Sequence, residues 1–484
     1  MNLLMGVVRS KITAVLLGPM GIGFSSLLNT VVSFLSNTTN LGVSFSAVKS
    51  ISEYDEGDTE GRFRSIAVVR TWSLIAAVLG FCVAIIAAPI INCFTFSWGD
   101  HTLHYLFLSP VVALLAITGG ETAILRAMRR MKSLAIVQFL TILLSIFIAV
   151  PIYYYWGVRG IIPVLLLGTT AASIITIFFS FRYYPYRLKH IREYVKEGSP
   201  MVKLGLSFIM AGIVASGVEM YIRAFLNRQG DLDMVGLYYA AFTMAITYPS
   251  TLLNSLENDY FSRLSAVNTD NGKLRSTVNA QIEVLLMVMF PVIAILLVAL
   301  PIAVPLLFSS KFIDAIPMAQ ATLLAMFIRT VTMPIEYILL AKGEAKKYSI
   351  METLWGVLTA VFLTIGYYNG ELLGMGFGWV AEYVAELIIV LIVFHHLWKF
   401  RLSKKAAMLF VVSVKPTPTL PATPSRPALT SDATLERAFS ILEERPFSFL
   451  QSLAFFSSAF ILSRPSLSSS MREATMSLYF LTSL

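Results

Sequence analysis

The stretch TWSLIAAVLGFCVAIIAAPIINCF, Thr71 to Phe94, holds 24 residues and no charge. As a helix rising 1.5 Å per residue it would reach about 36 Å, enough to cross a hydrocarbon core of about 30 Å. Its two ends differ. Arg62, Arg64 and Arg70 stand before it, whereas the loop Trp98-Gly99-Asp100 beyond it carries no Lys or Arg. Cations are retained on the cytoplasmic side, so the span is oriented as well as located.

The same pattern recurs outward in both directions. Apolar spans are read at 22–47, 104–125, 133–154, 161–181, 203–226, 234–256, 281–308, 316–340, 348–368 and 373–398, with Met1 to Leu17 as a twelfth. That first stretch is short and carries Arg9 and Lys11 in mid-run, so the first helix is expected to begin upstream of Met1. Gly18-Pro19, Gly157, Gly230 and Asn369-Gly370 punctuate the spans. The composition agrees: 56% hydrophobic and 13% charged residues, against about 25% charge in a soluble chain. The fold class is all-α, a polytopic membrane protein of about twelve transmembrane helices.

A formal net charge of +9 would suggest nucleic acid in a soluble protein. Here the cations lie in short loops and report topology, so no nucleic-acid partner is expected. The inner loops hold Lys49, Arg62, Arg64 and Arg70; Arg126, Arg129, Arg130 and Lys132; Arg182 to Lys203; Arg263, Lys273 and Arg275; and Lys342, Lys346 and Lys347. Lys399, Arg401, Lys404 and Lys405 follow the last span, and the outer loops hold only Arg159, Arg228 and Lys311. Alternation at every turn puts both termini in the cytoplasm. Cys82 and Cys93 share one apolar stretch and offer neither a disulfide framework nor a metal spacing.

The halves repeat at an offset near 213. Gly21-Ile22-Gly23-Phe24 matches Met234-Val235-Gly236-Leu237, Gly61-Arg62-Phe63-Arg64-Ser65 matches Gly272-Lys273-Leu274-Arg275-Ser276, and Tyr155-Trp156-Gly157 matches Tyr368-Asn369-Gly370. Six helices return a chain to the same side, so the units are parallel, the two-lobed plan of transporters with a path between lobes. The expected organisation is an N-terminal six-helix lobe at 1–182, a basic amphipathic linker at 183–202, a C-terminal six-helix lobe at 203–400 and a cytoplasmic tail at 401–484. After about Val414 the tail turns Pro-, Ser- and Thr-rich, and it reads as disordered or as a frameshifted end.

The run Lys11-Ile12-Thr13-Ala14-Val15-Leu16-Leu17-Gly18-Pro19-Met20-Gly21-Ile22-Gly23, and then Leu41-Gly42-Val43-Ser44 through Ser52-Glu53-Tyr54, resembles the opening of bacterial polysaccharide (O-antigen type) translocases. These are lipid-linked oligosaccharide flippases of the superfamily that also holds the multidrug and toxic compound extruders. The motif match is confined to about the first 55 residues; the architecture extends it over roughly 5–400. The resemblance implies a flippase in the bacterial cytoplasmic (inner) membrane. It would move an undecaprenyl-diphosphate-linked oligosaccharide to the outer leaflet for lipopolysaccharide or related polysaccharide biosynthesis, with membrane lipid and a glycan polymerase as further partners and no cofactor.

A diphosphate-linked glycan needs a polar, cationic path, so charges inside spans are the candidates. Arg329 lies near the middle of its span, where a cation costs about 2.5–3.5 kcal/mol and must face a cavity or a partner. It is a candidate for meeting the diphosphate or, equally, a structural pair with a neighbouring helix. Glu336 is two helical turns further along the same face, with Pro334 between. Glu219 and Arg223 are four residues apart and read first as a local ion pair, with Arg223 near enough to the outer end to snorkel. Glu382 and Glu386, also four apart, suit ion coupling or a water-lined polar face. Arg9 and Lys11 would add to the anionic-substrate site if their helix starts upstream. The substrate-binding candidates are therefore Arg329, Arg223, Lys11 and Arg9, and the ion-coupling candidates Glu382, Glu386, Glu219 and Glu336. Gly374, Gly376 and Gly378 read as close helix packing, not as a nucleotide loop.

No catalytic or metal residues are expected. Every loop before residue 400 is short, the five histidines have no ligand spacing, and no Gly-x-x-x-x-Gly-Lys-Ser/Thr is present. The alternatives are a cation-coupled multidrug exporter and, from another class, a membrane-embedded glycan polymerase or glycosyltransferase.

Overall fold

The computed structural model describes residues 2–52, 54, 58–96, 100–185 and 191–414. The Pro-, Ser- and Thr-rich tail beyond Val414 lies outside the described residues, as does 186–190 of the expected linker. The described chain is all helical: α1 (Asn2–Thr39), α2 (Val43–Ser52), α3 (Thr59–Thr95), α4 (Thr102–Ala127), α5 (Met131–Trp156), α6 (Ile161–Tyr183), α7 (Ile191–Gln229), α8 (Leu232–Phe242), α9 (Tyr248–Ala266), α10 (Asn271–Leu307), α11 (Ile316–Ala341), α12 (Ala345–Trp398) and α13 (Lys404–Val414). Residues 191–202 thus form the first turns of α7.

Among the described residues eight helical stretches are long and apolar enough to cross a membrane. Two of them hold two spans each. Met131–Tyr183 is α5 and α6 around a 3-10 turn in which Gly157 has φ 54°. The 54-residue α12 breaks at Gly370 and Glu371, the latter at φ 50°. Within α1, Gly18 at φ 68° breaks the helix just before Pro19, at the punctuation point read from the sequence. The helix from α8 to α9 is more polar and contains a π turn at Thr243–Thr247. Pro249 follows and withholds the N–H that Ala245 would otherwise receive.

Residue contacts group the chain into two compact units. Unit 1 holds Met1–Ala240, Val304–Asp314 and Ala345–Ala360; unit 2 holds Ala241–Ala303, Ala315–Glu344 and Val361–Leu484. In unit 1, α3 packs on α4, α4 on α6, α5 on α6 and α1 on α7. Leu27, Leu28, Val31, Val112, Ile161 and Ala224 lie in one buried apolar cluster there. In unit 2, α11 lies against the π turn and α9.

The repeat is visible in the elements. The starts of α3 and α10, and of α5 and α12, are separated by roughly the 213-residue offset. It also appears as a contact inside unit 1, where α1 crosses α8. A methyl on Gly23 would fall 1.9 Å from the Leu232 carbonyl oxygen, and one on Gly236 would fall 2.0 Å from that of Pro19. Gly23 and Gly236 are repeat-equivalent, as are Pro19 and Leu232, so the crossing is reciprocal and has a local two-fold character. Only glycine permits backbones this close. The glycines read as packing residues serve that purpose in unit 2: added methyls would meet the Gly366 carbonyl from Gly374, the Met318 carbonyl from Gly376 and the Phe362 carbonyl from Gly378.

Candidate functional site

In unit 2 the residues singled out on α11 and α12 come together. Arg329 lies midway along α11, and its Nη1 donates to Glu336 Oε2 at 2.9 Å and to Glu386 Oε1 at 2.6 Å. Thr332 Oγ1 also donates to Glu386. Glu336, Glu382 and Glu386 are buried at 4%, 1% and 1% exposure, yet the Arg329 side chain keeps 27%. The helical register explains the arrangement. Residues 329, 332 and 336 fall along one face of α11, and 382 and 386 along one face of α12. Tyr260 of α9 donates its hydroxyl to the Pro334 carbonyl at 2.6 Å, tying α9 to α11 beside the cluster.

One guanidinium thus stands among three buried carboxylates. The cation the sequence offered for an anionic substrate is already ion-paired, and it is the carboxylate partners, not the cation, that are sealed from the surface. Chemically, the group can take an anion at Arg329 if a carboxylate moves aside, and can take positive charge at the carboxylates.

The other candidates lie in unit 1. Arg223 does not snorkel: it is 4% exposed, its Nε donates to Ser26 Oγ at 2.7 Å, it pairs with Glu219, and it lies over the Tyr238 ring at 5.8 Å. This is the local ion pair expected from the spacing, reinforced by α1 and α8. Lys11 Nζ donates to the Pro305 carbonyl at 3.1 Å, and Arg9 is exposed. Among the described residues no group of three His, Cys, Asp or Glu is placed to hold a metal ion.

One buried pair escaped the sequence reading. Arg70, counted there with the inner loops, is 4% exposed and grips Glu121 of α4 with both forks, Nε to Oε1 at 2.8 Å and Nη2 to Oε2 at 3.1 Å. Ser180 of α6 also bonds to Glu121, the Pro185 carbonyl accepts from Arg70 Nη1 at 3.3 Å, and the Phe181 ring lies 4.3 Å beneath the guanidinium. The available signal was Glu121, the one acidic residue within the 104–125 span.

Among the described residues the chain is all-helical and polytopic, with ion clusters built between its helices. Solved transporters share that architecture. A multidrug resistance transporter of the MATE family, MOP superfamily, in an inward-facing conformation, aligns with TM-score 0.67 at 16% identity over 82% of this chain and 96% of its own. The MATE multidrug transporter DinF-BH in complex with R6G gives 0.57 at 15% identity, covering 82% and 92%. A MOP superfamily transporter from Pyrococcus furiosus gives 0.51 at 17%, covering 85% and 98%. At these identities the likeness concerns the fold. No curated protein matches in sequence. The family described as "Polysaccharide biosynthesis protein" matches over residues 12–317, and the chain belongs to that family. By fold it is similar to solved transporters of the MOP superfamily.

Proposed function

We propose that the protein is a flippase that carries a polyprenyl-diphosphate-linked oligosaccharide from the cytoplasmic to the outer leaflet, by alternating access of lobe 1–182 against lobe 203–400. The observation that carries the reading is Arg329: a mid-span cation held by Glu336 and Glu386 that still keeps an accessible edge. A diphosphate headgroup is doubly anionic and rich in acceptors, the ligand for which a guanidinium fork is suited. Its arrival at Arg329 would release a carboxylate. Glu386 and Glu336 then become the groups that exchange charge with the medium during the cycle, with Glu382 beside them. The polysaccharide biosynthesis family supports a glycan-bearing substrate.

A cation-coupled multidrug exporter is the second reading, favoured by one observation. The cluster holds three buried carboxylates to one guanidinium, the polarity a cationic drug would seek. Lipid extracts decide between them. Cells lacking the gene should accumulate lipid-linked oligosaccharide, and the wild-type gene should clear it. Unchanged lipid, together with increased sensitivity to cationic compounds, would replace the flippase reading with the exporter.

A further inference from the structure

The turns that close α4 and α11 are the same structure at the repeat offset. After α4, the Arg129 N–H donates to the Arg126 carbonyl at 3.0 Å and the Arg130 N–H to the Leu125 carbonyl at 3.0 Å. After α11, the Gly343 N–H donates to the Leu340 carbonyl at 3.1 Å and the Glu344 N–H to the Leu339 carbonyl at 2.9 Å. This closure places one residue in the left-handed region, at φ 72° for Gly343 and φ 54° for Arg129. Glycine adopts that conformation without penalty, while an Arg Cβ crowds its own carbonyl. The first copy therefore keeps a cation where the backbone prefers glycine, and a second cation, Arg130, where the other copy has Glu344.

The charge balance of the two turns differs accordingly. Arg126, Arg129, Arg130 and Lys132 are all exposed, no acidic residue lies between 126 and 132, and none of the four makes a salt bridge among the described residues. In the second copy Lys342 is satisfied by the Asn268 carbonyl at 2.8 Å and Asn271 Oδ1 at 3.0 Å. Retaining cations at the cytoplasmic surface needs no residue in a left-handed turn, since any loop position serves. Arg130 is held over the Tyr183 ring at 4.7 Å and also hydrogen-bonds with Tyr184, a cation fixed beside two aromatics at the end of α6.

We propose that the turn from Arg126 to Lys132 is a docking site for the phosphate headgroup of an anionic phospholipid of the inner leaflet. Four uncompensated cations in seven residues complement a phosphate-bearing surface, and the strained arginine is the part of that complement that folding alone would replace with glycine. The proposal is independent of what the protein transports.

The test uses the purified full chain in nanodiscs of phosphatidylcholine with or without phosphatidylglycerol. Retained phosphatidylglycerol is counted by native mass spectrometry, and thermal stability is read in parallel. Arg129→Gly should raise Tm by about 1–3 °C, because the turn relaxes. It should lower phosphatidylglycerol retention by about fivefold, the worth of one cation near an anionic surface. Arg129→Lys should keep wild-type retention and gain no stability. A turn with only a structural role cannot move the two readouts in opposite directions. Undiminished retention in Arg129→Gly overturns the proposal, as does a fall in its Tm. So does a probe of polyprenyl diphosphate in phosphatidylcholine retained through Arg129 while phosphatidylglycerol is not, which would assign the turn to substrate.

Discussion

Removing the Arg329 side chain would strand Glu336 and Glu386 as buried carboxylates, a change that costs about 3–5 kcal/mol when a buried pair loses one member. Arg329→Ala should abolish flipping, but the informative variant is gentler. Glu386→Gln keeps the shape and the bond from Thr332 and removes one charge. It should insert normally, as judged by membrane yield, and slow flipping at least tenfold in a lipid-extract assay. Wild-type flipping by this variant would remove Glu386 from the transport cycle. The Arg70–Glu121 pair makes the opposite prediction: a stability element with a bidentate fork and both groups sealed. Arg70→Met should lower stability by about 3–5 kcal/mol, and adding Glu121→Leu should recover most of the loss in a thermal melt. These two pairs also mark how far residue-level reading reached. Arg329 stood out because it interrupts an apolar run at mid-depth. Arg70 did not, because it sits one residue outside such a run. Its burial depends on Ser180, Phe181 and Pro185, more than a hundred positions away, which no local pattern announces.

Spans, breaks and packing glycines were legible at the level of elements, because hydrocarbon thickness fixes helix length and Gly or Asn-Gly positions end helices. The Gly23 and Gly236 match, weak as a sequence pairing, proves to be a reciprocal close crossing, and it gives a sharp prediction. Gly236→Leu would drive a branched side chain into the Pro19 carbonyl and should leave no correctly assembled protein, read as loss of the monodisperse peak in detergent chromatography. Gly212, with open space around its missing side chain, should accept Ala with little effect. The π turn before α9 was not foreseen, since it follows from how Pro249 redistributes carbonyls within a helix that sequence reads as continuous. The start of α10 carries a pH prediction. Asp270 accepts from the Gly272 N–H at 2.8 Å and the Lys273 N–H at 3.1 Å, and these bonds hold its carboxyl below the usual aspartate range. The cap is therefore present above the ordinary aspartate pKa and lost as pH falls through the lowered value. The protection of the Lys273 and Gly272 amides against hydrogen exchange, taken relative to the intrinsic rate at each pH, should fall as the solution is acidified, and Asp270→Asn should blunt that response.

Charge is also where the whole molecule becomes testable. A headgroup carrying two negative charges moves outward with an inside-negative potential, not against it. Each net charge crossing the full field is worth about 2.3 kcal/mol per 100 mV, about fifty-fold in the equilibrium distribution. If Arg329 binds the diphosphate while a carboxylate takes up a cation or proton, the loaded protein carries less net charge, and the potential drives it correspondingly less. The stoichiometry of that exchange is thus written in the voltage dependence. The experiment reconstitutes the full chain in proteoliposomes, sets the potential with a potassium gradient and valinomycin, and follows a short-chain diphosphate-linked glycan by its accessibility to an added phosphatase. A flippase working through Arg329 should accelerate outward movement when the cytoplasmic-facing side is negative, and Glu386→Gln should alter the steepness as well as the rate. Transport of the same probe with no voltage dependence, in wild type and variant alike, would mean that the cluster moves no net charge with its substrate. A steepness equal to the full charge of the headgroup, unchanged in Glu386→Gln, would instead make the carboxylates of α11 and α12 scaffolding for Arg329.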